Sequence, residues 1–139
     1  MFGCSDINAY LNEITETTIN EDIATEIFYD YIDMLEKEDY AGAAELIHPR
    51  QKGNDTTERI KEQLTAIRQE YSITLSDMKV ENCHIGLNVI PEREEFAELK
   101  GYCDKNREIS FQAGVKYIDG KFGMYYIEFD NGSKYMVLE

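Results

Sequence analysis

The spacing of apolar residues changes at about residue 71, and this change constrains the fold more than any other feature of the chain. Before it, apolar residues recur every three to four positions, which places them along one face of a helix. After it, they alternate with polar or small residues, which is typical of strands buried on one side. A chain with helices first and alternating strands afterwards is expected to form an α+β domain.

Three helices are predicted in the first half of the chain. The longest covers about 20–38, and Thr18 and Glu21 are expected to form a capping box at its start. Its apolar stripe consists of Ile23, Ile27, Tyr31, Met34 and Leu35. Asp39 is expected to cap a short second helix, which Pro49 stops. The third helix carries Ile60, Leu64, Ile67 and Tyr71. A shorter amphipathic segment containing Ile7, Leu11 and Ile14 is predicted to precede all three.

The second half is predicted to form an antiparallel meander. Asp119-Gly120 and Asn131-Gly132 are strong signals for two-residue hairpin turns. The strand before the first turn alternates over Ile109, Phe111, Ala113, Val115 and Tyr117, and another strand is expected over 96–103. Between 73 and 90 the alternation shifts phase twice, which predicts one long bent strand with bulges near 76–77 and 81–82.

The expected fold class is therefore α+β, with N-terminal helices packed on a strongly bent antiparallel sheet. Residues 20–139 are predicted to form this single domain, and residues 1–19 are predicted to be an N-terminal extension that could be helical.

Negative charge is concentrated in the helical half. The 139 residues include 28 acids and 14 bases, a formal net charge of −14, which argues against nucleic-acid binding because such proteins supply cations to phosphates. Twelve of the acids and a single base lie between residues 6 and 45. Glu26, Asp30 and Asp33 have helical spacing and are predicted to form one exposed acidic face. This face is either a solvated surface or a docking site for a basic protein partner.

The cysteines and the start of the chain bear on localisation. Three scattered cysteines fit reduced thiols in the cytoplasm better than a disulfide framework. Gly3-Cys4-Ser5 also resembles the cleavage box of a bacterial lipoprotein, in which Cys4 would carry the lipid. A cytoplasmic protein is predicted if Met1 is the natural start, and a surface lipoprotein anchored at Cys4 if a leader was removed. No membrane span is predicted, because the sequence has no apolar run of 18 residues.

No cofactor or metal site is predicted, since the sequence has no phosphate-binding glycine loop, dinucleotide motif, or zinc or calcium pattern. The candidate ligand-binding residues are Tyr31, His48, His84, Tyr102, Tyr117 and Tyr125. A structural role is the alternative for each of them. Regularly spaced aromatic residues usually belong to a core, and the imidazole of His48 could cap a carbonyl at its helix end. His84 falls on the strand face opposite Cys83 and Ile85 and could be exposed.

The segment 28–49 runs from Phe28-Tyr29-Asp30 through Asp39-Tyr40-Ala41 to Leu46-Ile47-His48-Pro49. It resembles the opening of the nuclear-transport-factor-2-like, or cystatin-like cone, superfamily. The resemblance extends over about residues 20–130 and implies a curved sheet that wraps the long helix and leaves a conical pocket. It also implies one of two roles. Some members are small enzymes acting on apolar molecules, such as ketosteroid isomerase and scytalone dehydratase, and others are non-enzymatic binding or dimerisation modules.

The leading functional prediction is a non-catalytic binding or protein-interaction module. It would have a pocket for a small apolar ligand, and the resemblance implies a homodimer formed through the sheet. Two alternatives remain open. An acidic inhibitor or immunity-type protein would bind a basic partner through the acidic face. A small isomerase or hydro-lyase would need a carboxylate base and a tyrosine donor inside the pocket.

Overall fold

The computed structural model describes residues 17–71, 74–103, 106–130 and 134–135. Three sequence-based predictions lie outside these residues: the amphipathic segment around Leu11, the Gly3-Cys4-Ser5 box and the Asn131-Gly132 turn. Within the described residues, helices come first and an antiparallel sheet follows, which confirms the α+β prediction. None of the described helices is both long enough and apolar enough to cross a membrane.

The helices are α1 (Glu21–Glu36), α2 (Tyr40–Glu45) and α3 (Thr56–Tyr71), with a 3-10 turn at Pro49–Gln51. Asn20 caps α1, because its side-chain oxygen accepts a hydrogen bond from the N–H of Ile23 at 2.9 Å. The predicted capping box of Thr18 and Glu21 is therefore wrong. Asn20 immediately precedes the helix and has the extended conformation that a cap needs, whereas Thr18 lies two residues further away.

The sheet is a meander with the strand order β1-β2-β3-β4-β5. Its strands are β1 (Met78–Asn88), β2 (Glu94–Cys103), β3 (Asn106–Ile118), β4 (Lys121–Asp130) and the two-residue β5 (Lys134–Tyr135). All neighbouring strands are antiparallel. The predicted hairpin turn joins β3 to β4, with φ of 55° at Asp119 and 73° at Gly120. Positive φ at both positions is typical of a type I′ turn, which matches the twist of the flanking strands.

Register shifts interrupt the ladders of the sheet. One lies between Val80 and Asn82, which confirms the bulge predicted near 81–82. The other phase change, predicted as a bulge near 76–77, has a different origin. Leu75–Asp77 form a 3-10 turn, and β1 begins only at Met78. The prediction of one strand from residue 73 is therefore wrong, because a turn shifts the phase of alternation just as a bulge does.

The connection after α2 extends the sheet on one side. Asp39 caps α2 as predicted, but the helix ends at Glu45, before Pro49. Ile47 then forms a parallel bridge with Met124 of β4. The N–H of His48 donates to the Met124 carbonyl at 3.0 Å. This connection therefore covers part of the free edge of β4.

The core lies between α1 and one face of the sheet, which we call the inner face. Phe28 of α1 stacks on Phe111 of β3, with ring centroids 5.2 Å apart and planes inclined by 8°. Alternate residues of β2 point inward as predicted, and Ala97, Leu99 and Cys103 are buried. The residues between them point to the opposite side, which we call the outer face.

Candidate functional site

The six candidate ligand-binding residues do not gather in one place. Tyr31 and His48 are buried, whereas His84 is exposed on β1. Tyr102 lies on β2, in the alternating set opposite the core residues. Tyr117 lies near the end of β3, and Tyr125 lies at the register shift of β4. Of the six, His48 and Tyr125 lie together in the described part of the chain, with ring centroids 5.5 Å apart.

His48 has a structural role in this arrangement. Its side chain is buried, with 1% of the residue surface exposed. Its Nε2 lies 3.1 Å from the Ile118 carbonyl, and its Nδ1 accepts a hydrogen bond from the N–H of Arg50 at 3.1 Å. Because Nδ1 accepts and Nε2 faces a carbonyl, the assigned state is the neutral tautomer with the proton on Nε2. The imidazole thus joins the 3-10 turn to β3, and both ring nitrogens are occupied.

Tyr31 is a buried residue whose hydroxyl has no hydrogen-bond partner among the described residues. Burial raises the pKa of this hydroxyl far above its ordinary value of 10.0, because the charged phenolate would lose its solvation. Tyr31 therefore belongs to the packed core of α1 and remains protonated at neutral pH.

The predicted acidic face is present on α1. Glu26, Asp30 and Asp33 are all exposed. Asp33 pairs with Lys37 at 2.8 Å, one turn further along the helix, and this contact raises the pKa of the lysine. Glu26 and Asp30 make no ion pair with any residue that the structure describes. Two uncompensated carboxylates four positions apart repel each other, so this surface favours a cationic neighbour.

The acidic face ends at a notch between α1 and the start of β1. The notch has a volume of ≈ 200 Å³, and its lining includes Tyr29, Ile32, Leu75 and Met78. Asp33 and Glu36 also contribute to the lining. The Tyr29 hydroxyl accepts a hydrogen bond from the N–H of Val80 at 3.0 Å, so its ring is held in position. The surface beside the acidic face therefore combines an apolar floor with charges of both signs, since Lys79 also lines the notch.

Glu95 is a buried carboxylate beside a pocket, and it was not among the predicted site residues. It is 2% exposed, yet its Oε1 accepts hydrogen bonds from the N–H groups of Thr18 and of Ile19, the latter at 3.0 Å. Its Oε2 lies 3.5 Å from Nε of Arg93. Glu95 and Tyr117 are cross-strand neighbours and line a pocket of ≈ 380 Å³. Strand alternation could have identified Glu95, since it is a charged residue in the inward set with Ala97 and Leu99.

Arg50 links the turn between β1 and β2 to the turn between β3 and β4, at the end of the sheet where Glu95 lies. Its guanidinium forms a two-pronged contact with Glu92, with one distance of 3.0 Å, and also binds Asp119. The Glu92 and Asp119 contacts raise the pKa of Arg50, and the guanidinium in turn lowers the pKa of the Glu92 carboxyl. The three charged groups are mutually satisfied, so they stabilise the loops and are poorly suited to binding a further ion.

The outer face contains a groove of ≈ 220 Å³ that the sequence-based prediction also missed. Phe96 of β2 and Tyr126 of β4 contribute aromatic rings, and Glu94, Glu98 and Lys116 contribute charges. The exposed ring of His84 lies nearby, with its centroid 6.2 Å from that of Phe96. The groove lies on the side of the sheet opposite α1.

The described residues contain no group of three or more histidine, cysteine or acidic side chains that could hold a metal ion. Glu95, the buried carboxylate, has no tyrosine hydroxyl among its hydrogen-bond partners in the described part of the chain. Comparisons of the chain with protein-family models, with curated proteins and with solved structures find no match.

Proposed function

We propose that this chain is a non-catalytic protein-interaction module and that its acidic face binds a basic protein partner. The observation that carries the proposal is the uncompensated pair Glu26 and Asp30, exposed on α1 beside the notch. An acidic surface accelerates the encounter with a basic partner, and an apolar notch beside it adds contact area once the two have met.

We further propose that the module belongs to the cone-like superfamily that the sequence resembles. The helices packed on an antiparallel meander support this assignment. Non-enzymatic members of that superfamily act as binding modules, and this agrees with the role proposed for the acidic face. With a basic toxin or nuclease as its partner, the module would act as an inhibitor or immunity-type protein.

The isomerase or hydro-lyase alternative has less support from the geometry. A general base in such an enzyme must be free to take a proton from a substrate. Glu95 is instead occupied by two backbone N–H groups and lies beside Arg93, which favours a structural task. On the inner face, the aromatic rings of Phe28 and Phe111 pack against each other.

The proposal is tested by capture from a native lysate with the immobilised chain, followed by reconstitution of the captured protein. The acidic-face variant carries Glu26→Gln, Asp30→Asn and Asp33→Asn. A control variant carries the same loss of charge at other exposed acids: Glu58→Gln, Glu62→Gln and Glu81→Gln.

We expect the wild type and the control variant to retain a basic protein that the acidic-face variant releases. Retention should also weaken steeply with added salt, because exposed charges are screened. Equal loss of binding in the two variants would mean that only net charge matters. That outcome, or retention that salt does not change, would contradict the proposal.

A further inference from the structure

Phe96 covers a glycine on the outer face of the sheet. A Cβ placed on Gly86 of β1 would lie closest to Cζ of the Phe96 ring and at 2.5 and 2.6 Å from its two Cε atoms. These nearly equal distances show that the tip of the ring lies across the glycine and takes the space of a side chain. Phe96 is half-buried, so one side of its ring rests on the sheet while part of its surface remains accessible.

Tyr126 repeats this arrangement on the neighbouring strands. A Cβ on Gly114 of β3 would lie 2.6 Å from Cδ1 of Tyr126 and closer still to its Cε1. The Tyr126 hydroxyl accepts a hydrogen bond from Nε2 of Gln112 at 2.8 Å, which fixes the ring. Two aromatic rings are thus held in place on the outer face, and both line the groove of ≈ 220 Å³. Such rings bind with little further loss of side-chain entropy.

The same face already contains one cation held by an aromatic ring and a carboxylate. Nζ of Lys116 lies 4.2 Å from the centroid of the Tyr125 ring and forms an ion pair with Glu94. Cations interact favourably with aromatic faces at this distance, and a carboxylate adds to the attraction. Lys116 lines the groove as well, and its ammonium group is occupied by Glu94 and Tyr125.

Glu98 is the second carboxylate of the groove, and it has no hydrogen bond or ion pair with the described residues. In the sheet register, Glu98 lies between His84 of β1 and Gly114 of β3, and Gly114 in turn pairs with Tyr126. The groove thus offers two rings and a carboxylate, the same kinds of group that hold Lys116, and no described lysine or arginine forms an ion pair with Glu98. Burial raises the pKa of Tyr126, and the negative charge of Glu98 adds a smaller increase.

We propose that the outer groove binds an arginine side chain of a partner protein, between Phe96 and Tyr126 and against Glu98. A planar guanidinium stacks on aromatic rings and donates hydrogen bonds to a carboxylate, so it matches all three groups. The negative charge of the groove is complementary to such a ligand. This inference does not rest on the acidic face, which lies on the other side of the sheet.

The test is a titration of the isotope-labelled full chain with the peptide acetyl-Gly-Arg-Gly-amide, followed by backbone amide NMR. We expect the largest shifts at Phe96, Glu98, Gly114 and Tyr126. The matching peptide with citrulline has the same shape but no charge, and it should bind at least about tenfold more weakly. Glu98→Gln should weaken binding of the arginine peptide about five- to tenfold, whereas Glu81→Gln, an exposed acid outside the groove, should leave it unchanged.

Phe96→Leu provides a second variant that removes one ring but keeps an apolar cover over Gly86, and it should also weaken binding. Equal binding of the arginine and citrulline peptides would overturn the proposal. So would shifts centred on Glu26 and Asp30, or an affinity that Glu98→Gln does not change. If the groove amides instead shift with protein concentration in the absence of peptide, a second copy of the chain occupies the face, and the proposal is also overturned.

Discussion

Glu95 shows how a single charged side chain can replace a missing backbone partner. The N–H groups of Thr18 and Ile19 precede α1 and point at the carboxylate of β2. A buried N–H without an acceptor is costly, and one carboxylate oxygen satisfies both donors here. The two hydrogen bonds span 77 and 76 positions of the chain. Glu95 therefore links the start of the helical half to the sheet.

Glu95→Ala is expected to lower the free energy of unfolding by about 2–4 kcal/mol, because two N–H groups lose their acceptor. Glu95→Gln keeps one acceptor oxygen and should cost about 1 kcal/mol. Urea unfolding followed by circular dichroism measures both changes, and Glu81→Gln serves as the control for loss of charge alone. An alanine variant as stable as the control would contradict this role of Glu95.

Tyr31→Phe is expected to stabilise the protein by about 1 kcal/mol, because it removes a buried hydroxyl that has no partner and preserves the ring. The control is Tyr126→Phe, which removes a hydroxyl bonded to Gln112 and should be mildly destabilising. The urea midpoints at constant slope report both effects. A clear loss of stability in Tyr31→Phe would show that the hydroxyl is satisfied after all.

The raised pKa of Tyr31 also gives a pH dependence. In the unfolded chain this hydroxyl ionises at its ordinary value near 10.0, whereas in the folded chain it stays protonated to higher pH. The unfolded state therefore releases its proton first, and the stability contributed by Tyr31 is present below pH 10.0 and lost above it. The stability difference between Tyr31→Phe and the wild type should grow above this pH, as measured by unfolding at several pH values.

At the scale of elements, close packing holds the connection after α2 against β4. A Cβ on Gly123 would lie 2.6 Å from Cβ of His48 and closer still to its backbone. Glycine is therefore required at this position for lack of space. Gly120 needs glycine for a different reason, because its φ is 73° and no atom lies within 4 Å of a Cβ built there. The two glycines lie in the same hairpin. Substituting each one by alanine therefore compares a steric effect at Gly123 with an effect of backbone conformation at Gly120.

Gly123→Ala is expected to destabilise the protein by about 2–3 kcal/mol, because the connection at His48 must move. Gly120→Ala should cost only about 1 kcal/mol, the strain of a positive φ. Amide hydrogen exchange gives a second readout. The His48 amide, which donates to Met124, should lose protection in Gly123→Ala and keep it in Gly120→Ala. The same protection in both variants would contradict the steric explanation.

The elements differ in how far the sequence could predict them. The helices, the strand over 96–103 and the Asp119-Gly120 turn depend on local spacing and local φ preferences, and these were predicted correctly. The turn at Leu75–Asp77 was mistaken for a bulge, because both shift alternation by one residue. The groove depends on Phe96 and Tyr126 reaching over glycines of neighbouring strands. Alternation assigns a residue to a face of the sheet, but it does not show which residues on that face meet.

At the scale of the whole molecule, charge is distributed unequally between the two halves of the chain. Eleven of the fourteen net negative charges lie between residues 6 and 45, so the rest of the chain carries only −3. The exposed acids of α1 repel one another, and dissolved ions screen such repulsion between exposed groups. The acidic half therefore makes the stability of the protein sensitive to ionic strength.

Added salt is expected to raise the urea midpoint of the wild type, because it screens the repulsion on α1. The double variant Glu26→Gln, Asp30→Asn removes one repelling pair and should be more stable at low salt by a few tenths of a kcal/mol. It should also respond less to salt than the wild type or the control Glu58→Gln, Glu81→Gln, whose two acids lie on different elements. A midpoint that falls with salt would contradict this account.

The register shift in β1 also affects the free edge of the sheet. β1 is an outermost strand, and a regular free edge can act as a template for a strand of another molecule. The bulge beside Glu81 interrupts the even spacing of free N–H and C=O groups, and the charges of Lys79 and Glu81 are exposed there. On the other side, the connection at Ile47 and the short β5 occupy the edge of β4. The sheet therefore resists growth into larger aggregates at both of its edges.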